Sequence, residues 1–544
     1  MGFMKLKKNI SIMLVIGLMS STLIGCSNTS SDAGKSLDKE NARKANNELI
    51  AAVTSEPETG FDATDTGHGD MTSVFFSTLF KRNKNLGMEN DLAKSYEISE
   101  DRLTWTVKIR EDVKFTDGEN LTAEDVVYTY EIAKNSGSSI DLTMLDSVSK
   151  VDDYTVEFKL KNPQSTFIEK LATVGIVPKH AHNEGFSDNP IGSGPYKLVQ
   201  WDKGQQVIAE ANENYYGEKP SIKKLTMVFM DDDTAYAAVK AGEVDIASIP
   251  GSFAKEEVEG KKLIELDSIE TYGVAYPMEK PGKTTADGYP IGNAVTSDET
   301  IRKALTYAID REELVEGILE GYGAPSSTGL EKMPWLNEET IIKPEEDGKI
   351  DEAKKMLEEA GWKDTNNNGT IDKDGVEAEF DLLYTDGKYR QELGLAYVEV
   401  AKKLGIKVNL ENRNWDTIVP EINSQAVLYG FGSGDPSEIY NLYSSKTFGV
   451  GVPWNNSGYY QNDKVDEYID KALQSEDEDS ALEYWKKAQW DGETGFSHMG
   501  DCAYTWFVNA GHLYLADEDL DIGTPVVQPH GGKVLYNITE WSWK

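Results

Sequence analysis

Two histidines in glycine-rich segments are candidates for metal chemistry in this sequence. The chain has six histidines; His68 stands in TDTGHGDM (64–71) and His530 in VQPHGGKVLYN (527–537). Neutral imidazoles bind Ni²⁺, Cu²⁺ or Zn²⁺, and neighbouring glycines let a bulky ligand approach the backbone. A histidine in a glycine-rich turn is also often only an exposed polar residue. The residues alone therefore leave both interpretations open.

A group of oxygen-bearing side chains has the spacing of a calcium-binding loop. The segment DTNNNGTIDKDG (364–375) matches D-x-[DN]-x-[DN]-G, in which alternate positions supply oxygen ligands to Ca²⁺. The twelfth position is Gly375 instead of a bidentate glutamate, so we expect a weakened site. A polar Asn-Gly turn between a helix and a strand fits the same residues equally well. The candidate calcium ligands are Asp364, Asn366, Asn368, the carbonyl of Thr370, and Asp372.

Strand and helix patterns that would position these groups alternate along the chain. Strands are predicted at TWTVKIR (104–110), TVEFKLK (155–161), 223–230, 379–384 and 406–413. Helical patterns cover 232–243, 297–319 and 351–361. This alternation predicts a mixed α/β fold, and the order of the elements does not suggest a simple βαβ series forming one sheet.

Length and charge narrow the class of protein. A chain of 544 residues predicts two or more domains. The formal net charge of −39 gives a surface that repels nucleic acid and anionic lipid headgroups, so no nucleic-acid partner is expected. We interpret most of this charge as a solvated acidic surface.

The N-terminus resembles a bacterial lipoprotein signal. Residues 1–25 combine a basic start with an apolar stretch at about 10–19 that is too short to span a bilayer as a helix. The small residue before Cys26 and the polar sequence after it favour lipidation of this cysteine over an ordinary cleavage site. Residues 26–50 are then a flexible tether. Cys502 is the only other cysteine, so no disulfide within the mature monomer is expected.

Several ordered segments resemble one known family. The similarity is to the peptide/nickel class of extracytoplasmic solute-binding proteins, family 5, whose members serve ABC importers. It runs from about residue 50 to the end of the chain and keeps the family order. The segments are 92–131, IGSGPY (191–196), 211–225, AVKAGEVDIA (238–247), IRKALTYAIDREELV (301–315), DEAKKMLEEAGW (351–362) and NITEW (537–541).

The resemblance implies a two-lobed α/β clamp of the type II periplasmic-binding-protein kind. Lobe I is expected to comprise residues 51–292 plus 508–544, and lobe II residues 293–507, with a hinge where the chain crosses between them. Closure of the lobes would trap a solute. The resemblance further implies a monomer that delivers its ligand to the membrane permease and ATPase subunits of an importer. The lipid on Cys26 would anchor it to the outer side of the cell membrane.

The resemblance also bears on the class of ligand. In peptide-binding members, an aspartate a few residues before an acidic-Pro pair receives the α-ammonium group of the peptide. In YGFGSGDPSEIYNLYSS (429–445) the aligned position is Gly432, since Asp435 belongs to the DP pair itself. The segment is closer to that of nickel-type members, which favours a metal chelate over a free peptide.

Candidate ligand-binding residues follow from the same resemblance. Both chain ends belong to one lobe in this family, so His68 and His530 are expected to meet, with a small chelator completing the metal coordination. Arg390 stands at a family-like position for pairing with the chelator carboxylate, although a surface position on a helix is equally compatible. Tyr429 and Phe431 are expected in the ligand wall or in the core.

The predicted function is therefore capture of a nickel chelate by a binding protein that needs no resident cofactor. The alternative within the same importer class is an oligopeptide- or dipeptide-binding protein. An extracellular hydrolase is disfavoured because G-x-S-x-G, H-E-x-x-H and G-x-x-x-x-G-K-[ST] are absent from the sequence. A passive adhesive lipoprotein would not need the family segments.

Replacement of Cys26 tests the lipid anchor. We expect Cys26→Ser to release the protein into the medium or to leave it unprocessed, because the acyl chains supply the anchoring energy. Membrane fractionation in high salt and mass spectrometry of the N-terminal peptide would measure both effects. The lipoprotein interpretation would be contradicted if the variant stays membrane-bound and the wild type contains no acylated species.

Overall fold

The computed structural model describes residues 40–57, 59–65, 71–136 and 140–544. The predicted signal peptide, Cys26 and His68 lie outside the described residues. Within the described ranges, no helix combines the length and the apolar character needed to cross a membrane.

The strands run through the whole described chain. In chain order they are β1 Glu48–Val53, β2 Phe80–Arg82, β3 Met88–Asn90, β4 Ala93–Ile98, β5 Thr104–Ile109, β6 Leu145–Asp152, β7 Thr155–Leu160, β8 Tyr196–Asp202, β9 Gln206–Ala211, β10 Lys224–Phe229, β11 Ile246–Ser248, β12 Lys261–Leu266, β13 Thr271–Ala275, β14 Lys283–Thr284, β15 Pro290–Ile291, β16 Gly323–Pro325, β17 Asp372–Lys373, β18 Val376–Glu377, β19 Glu379–Tyr384, β20 Lys407–Asn412, β21 Ala426–Phe431, β22 Tyr504–Ala510, β23 His512–Asp517, β24 Leu520–Asp521 and β25 Ser542–Trp543.

Helices alternate with these strands. They are α1 40–45, α2 Thr72–Phe75, α3 Ala123–Ala133, α4 Phe167–Leu171, α5 Asp232–Lys240, α6 Gly251–Ala254, α7 Glu299–Ala308, α8 Arg311–Ile318, α9 Ile350–Glu359, α10 Arg390–Lys403, α11 Trp415–Ile418, α12 Ser437–Tyr443, α13 Asp463–Leu473 and α14 Glu478–Gln489. Short 3₁₀ helices cover Glu338–Thr340, Pro344–Glu346, Ser445–Thr447 and Val534–Glu540.

Lobe I is built on a seven-stranded sheet with the order β12-β23-β11-β1-β10-β9-β8. Its central strand β1 is parallel to β10 and β11, and the remaining pairs are antiparallel. Leu49 and Ala51 of β1 pack into the core on one face, while Ala52 packs into the core on the other. The centre of this sheet is therefore buried on both faces.

A four-stranded antiparallel sheet, β4-β5-β7-β6, also belongs to lobe I. Trp105, Val107 and Ile109 of β5 point into one core, whereas the alternate residues Thr106 and Lys108 are more exposed. One face of this sheet is thus covered and the other is solvated, which is the pattern that the alternating sequence predicts.

Lobe II is built on a six-stranded sheet with the order β16-β22-β13-β21-β19-β20. Leu428 of β21 packs into the core that contains residues of α7 and α10. Val427 and Tyr429 point to the opposite face, into an aromatic-rich core with α13 and α14. The two sides of one strand therefore bury different clusters.

Residues 40–50, which were predicted to belong to the flexible tether, instead form α1 and the start of β1, and Arg43 pairs with Asp245. The other predicted elements are confirmed with one instructive difference. The predicted strand 379–384 coincides with β19, while the helical pattern over 297–319 is divided into α7 and α8. Ile309 between them has extended backbone angles, and the Asp310 carboxylate accepts a hydrogen bond from the backbone N–H of Glu313 at 3.0 Å. This N-cap begins a new helix inside a continuous apolar pattern.

The described chain passes between the two large sheets at two places. The first crossing lies between Leu266 and Thr271, and the second lies between Ala510 and His512. Because β13 pairs with β21 and β22, sheet membership changes N-terminal to the predicted boundary at residue 292. The division into 51–292 plus 508–544 and 293–507, taken as moving bodies, stays a prediction.

A buried ion pair connects the two lobes at the edge of the cleft. Lys170 of α4 donates to Asp435 Oδ2 at 3.0 Å and to Ser437 Oγ at 3.3 Å. The Lys170 and Asp435 side chains are 13% and 14% exposed. Nearby, Ser165 donates its backbone N–H to the carbonyl of Leu473 at 2.7 Å. These contacts hold the lobes together on this side.

The pair determines the charge state of Asp435. Burial alone would raise the pKa of this carboxyl, but the Lys170 ammonium holds it below its ordinary value. The resulting stabilisation is present at neutral pH and is lost as the pH falls through the pKa of Asp435 in the folded protein.

Removal of Lys170 tests the role of this pair. We expect Lys170→Met to favour the open form, because an unpaired buried carboxylate costs about 3–5 kcal/mol and opening hydrates it. Small-angle scattering should show a larger radius of gyration. Lys464→Met, which breaks an exposed pair with Glu467, is the matched control and should leave the radius unchanged. An unchanged radius in Lys170→Met would contradict this role.

Candidate functional site

A cleft of about 1450 Å³ lies between the lobes. Arg390, Tyr429, Phe431 and His530, which were predicted from separate parts of the sequence, all line it. His68 lies outside the described residues.

His530 rests on the end of strand β21. Its backbone N–H donates to the carbonyl of Gly432 at 2.8 Å. A Cβ atom on Gly430 would lie only 2.7 Å from Cε1 of the imidazole, so the missing side chain makes room for the ring. The His530 side chain is 32% exposed, and it therefore presents part of its ring to the cleft.

A buried carboxylate that sequence reasoning missed lies beneath this imidazole. Glu270 Oε2 accepts from His512 Nε2 at 2.8 Å, and Oε1 lies 3.4 Å from His530 Nδ1. Burial alone would raise the pKa of Glu270, but the imidazoles of His512 and His530 hold it well below its ordinary range. No motif in the sequence signals this residue, because its partners lie far away along the chain.

Arg390 is the first residue of helix α10, and its guanidinium has spare hydrogen-bonding capacity. Nη1 donates to Thr385 Oγ1 at 2.6 Å and to the carbonyl of Asp386 at 3.1 Å. Nε is buried and has no hydrogen-bond partner among the described residues. A carboxylate in the cleft could accept from this group.

Aromatic rings form another part of the cleft wall. Tyr429 and Phe431 are only 3% and 9% exposed and belong to the core of lobe II. Trp415 stacks on Tyr429 with ring centroids 6.0 Å apart, and Trp454 lies 5.6 Å from Trp415. Both tryptophans are half-buried cleft residues that sequence reasoning missed, because they lie outside the family segments.

The position that corresponds to the ammonium-binding aspartate of peptide binders is closed to any side chain. Gly432 has φ +135°, and a Cβ atom there would lie 2.3 Å from the carbonyl oxygen of Ile269. Asp435 is already paired with Lys170. Glu438 is one nearby cleft carboxylate without an ion-pair partner among the described residues; it accepts from the backbone N–H of Ser433 at 3.1 Å.

The described residues contain no group of three or more His, Cys, Asp or Glu side chains arranged to hold a metal ion.

The calcium-like loop 364–375 lies outside the residues that line the cleft. A further carboxylate, that of Glu377, lies beside this loop. Asp364 accepts from the backbone N–H groups of Asn368 and Gly369 at 3.1 and 3.0 Å. Glu377, two positions after the glycine at the twelfth position, accepts from the side-chain amides of Asn366 and Asn368 at 2.9 and 2.7 Å. Glu377 thus faces the side-chain amide groups of Asn366 and Asn368.

Known proteins are similar to this chain in sequence and in architecture. Residues 87–451 match the family described as bacterial extracellular solute-binding proteins, family 5 Middle. Protein XP55 of Streptomyces lividans is 34% identical over 488 residues, which are 86% of this chain and 85% of that protein.

Two solved structures match nearly the whole fold. NikZ from Campylobacter jejuni in complex with Ni(L-His) has a TM-score of 0.78 at 25% identity and covers 91% of this chain and 99% of its own. The oligopeptide-binding protein AppA from Bacillus subtilis, in complex with a nonapeptide, has a TM-score of 0.73 at 27% identity with the same coverage.

The predicted two-lobed α/β fold and the family resemblance are thus confirmed. Members of this family are transport binding proteins that act outside the cytoplasm. This chain belongs to the bacterial extracellular solute-binding proteins of family 5 and is the substrate-binding protein of an ABC importer, not an enzyme.

Proposed function

We propose that this protein captures a nickel chelate, in which a small amino-acid-like chelator accompanies the metal. The observation that carries the proposal is the imidazole of His530 in the cleft wall. Its Nδ1 is buried toward Glu270, which leaves Nε2 as the nitrogen available to a ligand. A carboxylate behind a histidine is the usual support of a metal-binding imidazole.

The surrounding groups suit the chelator more than a bare ion. Described residues provide no complete metal site, so the chelator and His68 would supply further ligands. Arg390 lines the cleft, and its guanidinium would pair with a chelator carboxylate. The solved complex of NikZ with Ni(L-His) is consistent with such a ligand.

An oligopeptide is the second candidate. The cleft volume of about 1450 Å³ exceeds the roughly 300–1,000 Å³ of ordinary small-molecule pockets. AppA, a structural relative, was solved with a nonapeptide. In a peptide complex, Glu438 would be one cleft carboxylate able to receive the terminal ammonium group, since Gly432 and Asp435 are unavailable.

Calorimetric titration with Ni²⁺ plus L-histidine, compared with a peptide pool, tests the proposal. We expect His530→Ala to weaken chelate binding by at least about 10–100-fold, the range found for loss of supporting groups around metals.

His180→Ala is the matched control, since His180 is 43% exposed, pairs with Asp117 and does not line the cleft. It should bind like the wild type. Equal chelate affinity in the wild type, His68→Ala and His530→Ala would contradict the histidine assignment. Tight peptide binding without any metal dependence would instead favour the peptide candidate.

Lipidation of Cys26 completes the proposed function. An acylated Cys26 would hold the binding protein at the membrane, within reach of the permease and ATPase subunits of the importer.

We also propose that the loop 364–375 binds Ca²⁺ as a structural ion. Glu377, which faces the loop, would supply the carboxylate that is missing at Gly375. Calcium ligands in such loops are carboxylate, amide and carbonyl oxygens, and Asp364, Asn366 and Asn368 provide these groups.

Thermal melts with and without Ca²⁺ test this loop. For a dissociation constant of 10⁻⁴–10⁻³ M, about 10 mM Ca²⁺ should add roughly 1–3 kcal/mol to the free energy of unfolding and raise Tm. Asp364→Ala should abolish the rise, while Asp374→Ala, which changes a loop residue outside the predicted ligand positions, should retain it. An equal rise in the wild type and Asp364→Ala, or none in either, would show that the loop is a plain turn.

A further inference from the structure

Glu270 lies where three distant parts of the chain meet. It is in the first crossing between the sheets, after Leu266 and before Thr271. Its partner His512 begins the strand that follows the second crossing, and His530 belongs to the C-terminal segment that lines the cleft. One carboxylate therefore contacts both crossings and the ligand site.

Three hydrogen-bond donors and the imidazole of His530 converge on this carboxylate. Besides His512 and His530, the backbone N–H of Gly531 donates to Oε2 at 3.1 Å and the hydroxyl of Tyr272 donates to Oε1. Glu270 is 7% exposed, and a buried carboxylate needs such donors to remain charged. The set of donors explains how a negative charge is tolerated at this position.

The backbone of Glu270 is fixed as firmly as its side chain. Its carbonyl accepts from the backbone N–H of Ala510 at 2.9 Å and from the side-chain amide of Asn509 at 3.2 Å. Its own N–H donates to Ser268 Oγ at 2.7 Å. Since residues 509–510 end β22, the two crossings are hydrogen-bonded to each other through Glu270.

The position of the carboxylate determines which nitrogen of His530 carries the proton. An ionised carboxylate only accepts hydrogen bonds. The 3.4 Å contact between Glu270 Oε1 and the buried Nδ1 of His530 is therefore favourable only when Nδ1 carries a proton. In a neutral imidazole the other nitrogen, Nε2, then keeps its lone pair. The 3.4 Å contact is longer than a good hydrogen bond, so a small movement of the ring would tighten it.

We propose that Glu270 is a positioning residue that holds His530 with Nδ1 protonated and Nε2 presented to the cleft. This proposal rests on the proposed function in one respect, because it takes Nε2 of His530 as the atom that contacts the ligand. Because the same carboxylate joins both crossings, the orientation of His530 depends on the arrangement of the two lobes. Ligand contact at His530 and lobe closure are thereby linked through one buried group.

The tautomer of His530 in the ligand-free protein gives the first test. Proton–nitrogen correlation spectra of ¹⁵N-histidine-labelled protein at about pH 8, with the signal assigned by its loss in His530→Ala, identify the protonated nitrogen. We expect Nδ1–H in the wild type. A wild type with Nε2–H would overturn the proposal without reference to any other variant.

Replacement of the carboxylate gives the second test. Glu270→Gln should shift His530 toward the Nε2–H tautomer and weaken binding of Ni²⁺ plus L-histidine by about 10–100-fold. Glu438→Gln, which alters another cleft carboxylate, and Tyr272→Phe, which removes one donor but keeps the carboxylate, should both retain the wild-type tautomer. Retention of the Nδ1–H tautomer in Glu270→Gln would overturn the positioning role.

The two hypotheses fail in different ways. In one outcome, the wild type shows the Nδ1–H tautomer, Glu270→Gln changes this tautomer, and the wild type does not bind Ni²⁺ plus L-histidine. This outcome would overturn the nickel proposal and support the positioning role. Chelate binding that depends on His530 but is unaffected by Glu270→Gln would support the nickel proposal and overturn the positioning role.

Discussion

The buried charge of Glu270 constrains three segments that are distant in sequence. Its donors come from the end of the first crossing, from the second crossing and from the C-terminal segment. Withdrawal of any of these segments would leave a buried carboxylate short of hydrogen bonds, which is costly in a low-dielectric environment. The requirement explains how His530 of the C-terminal segment is held at the junction of the two sheets.

The other charges of the cleft are divided between closing the lobes and meeting a ligand. Asp435 is engaged by Lys170 across the interface, so closure itself satisfies both charges. Arg390 and Glu438 retain capacity that no described protein group uses. A ligand with separated positive and negative groups would match this distribution, and an amino-acid chelate or a peptide would provide it in different ways.

Two glycines at the end of β21 shape the cleft beside His530. Gly430 admits the ring of His530, and Gly432 lies too close to the carbonyl of Ile269 to carry a side chain. The same fold is shared with NikZ solved with Ni(L-His) and with AppA solved with a nonapeptide. Ligand class within this architecture is therefore a matter of individual side chains at the cleft and does not follow from the fold.

The sequence by itself determined the family, the mixed α/β class and the five strands β5, β7, β10, β19 and β20. The strand 379–384 was predicted with its observed bounds because its apolar pattern is local. The break between α7 and α8 was not predicted, since an N-cap at Asp310 interrupts a pattern that remains apolar throughout. Local hydrogen bonds determine where such a helix ends, and the periodicity of apolar residues carries no information about those hydrogen bonds.

Only the tertiary structure decided how the site is assembled. Arg390 and His530 were named from the sequence through the family resemblance, but their common cleft depends on the two crossings between the sheets. Glu270, Trp415 and Trp454 carried no sequence signal, because a carboxylate or an indole acquires its role from neighbours brought near by folding. Burial and partner distance are properties of the packed chain, and these two properties distinguish the carboxylate at residue 270 from the many acidic residues on the surface.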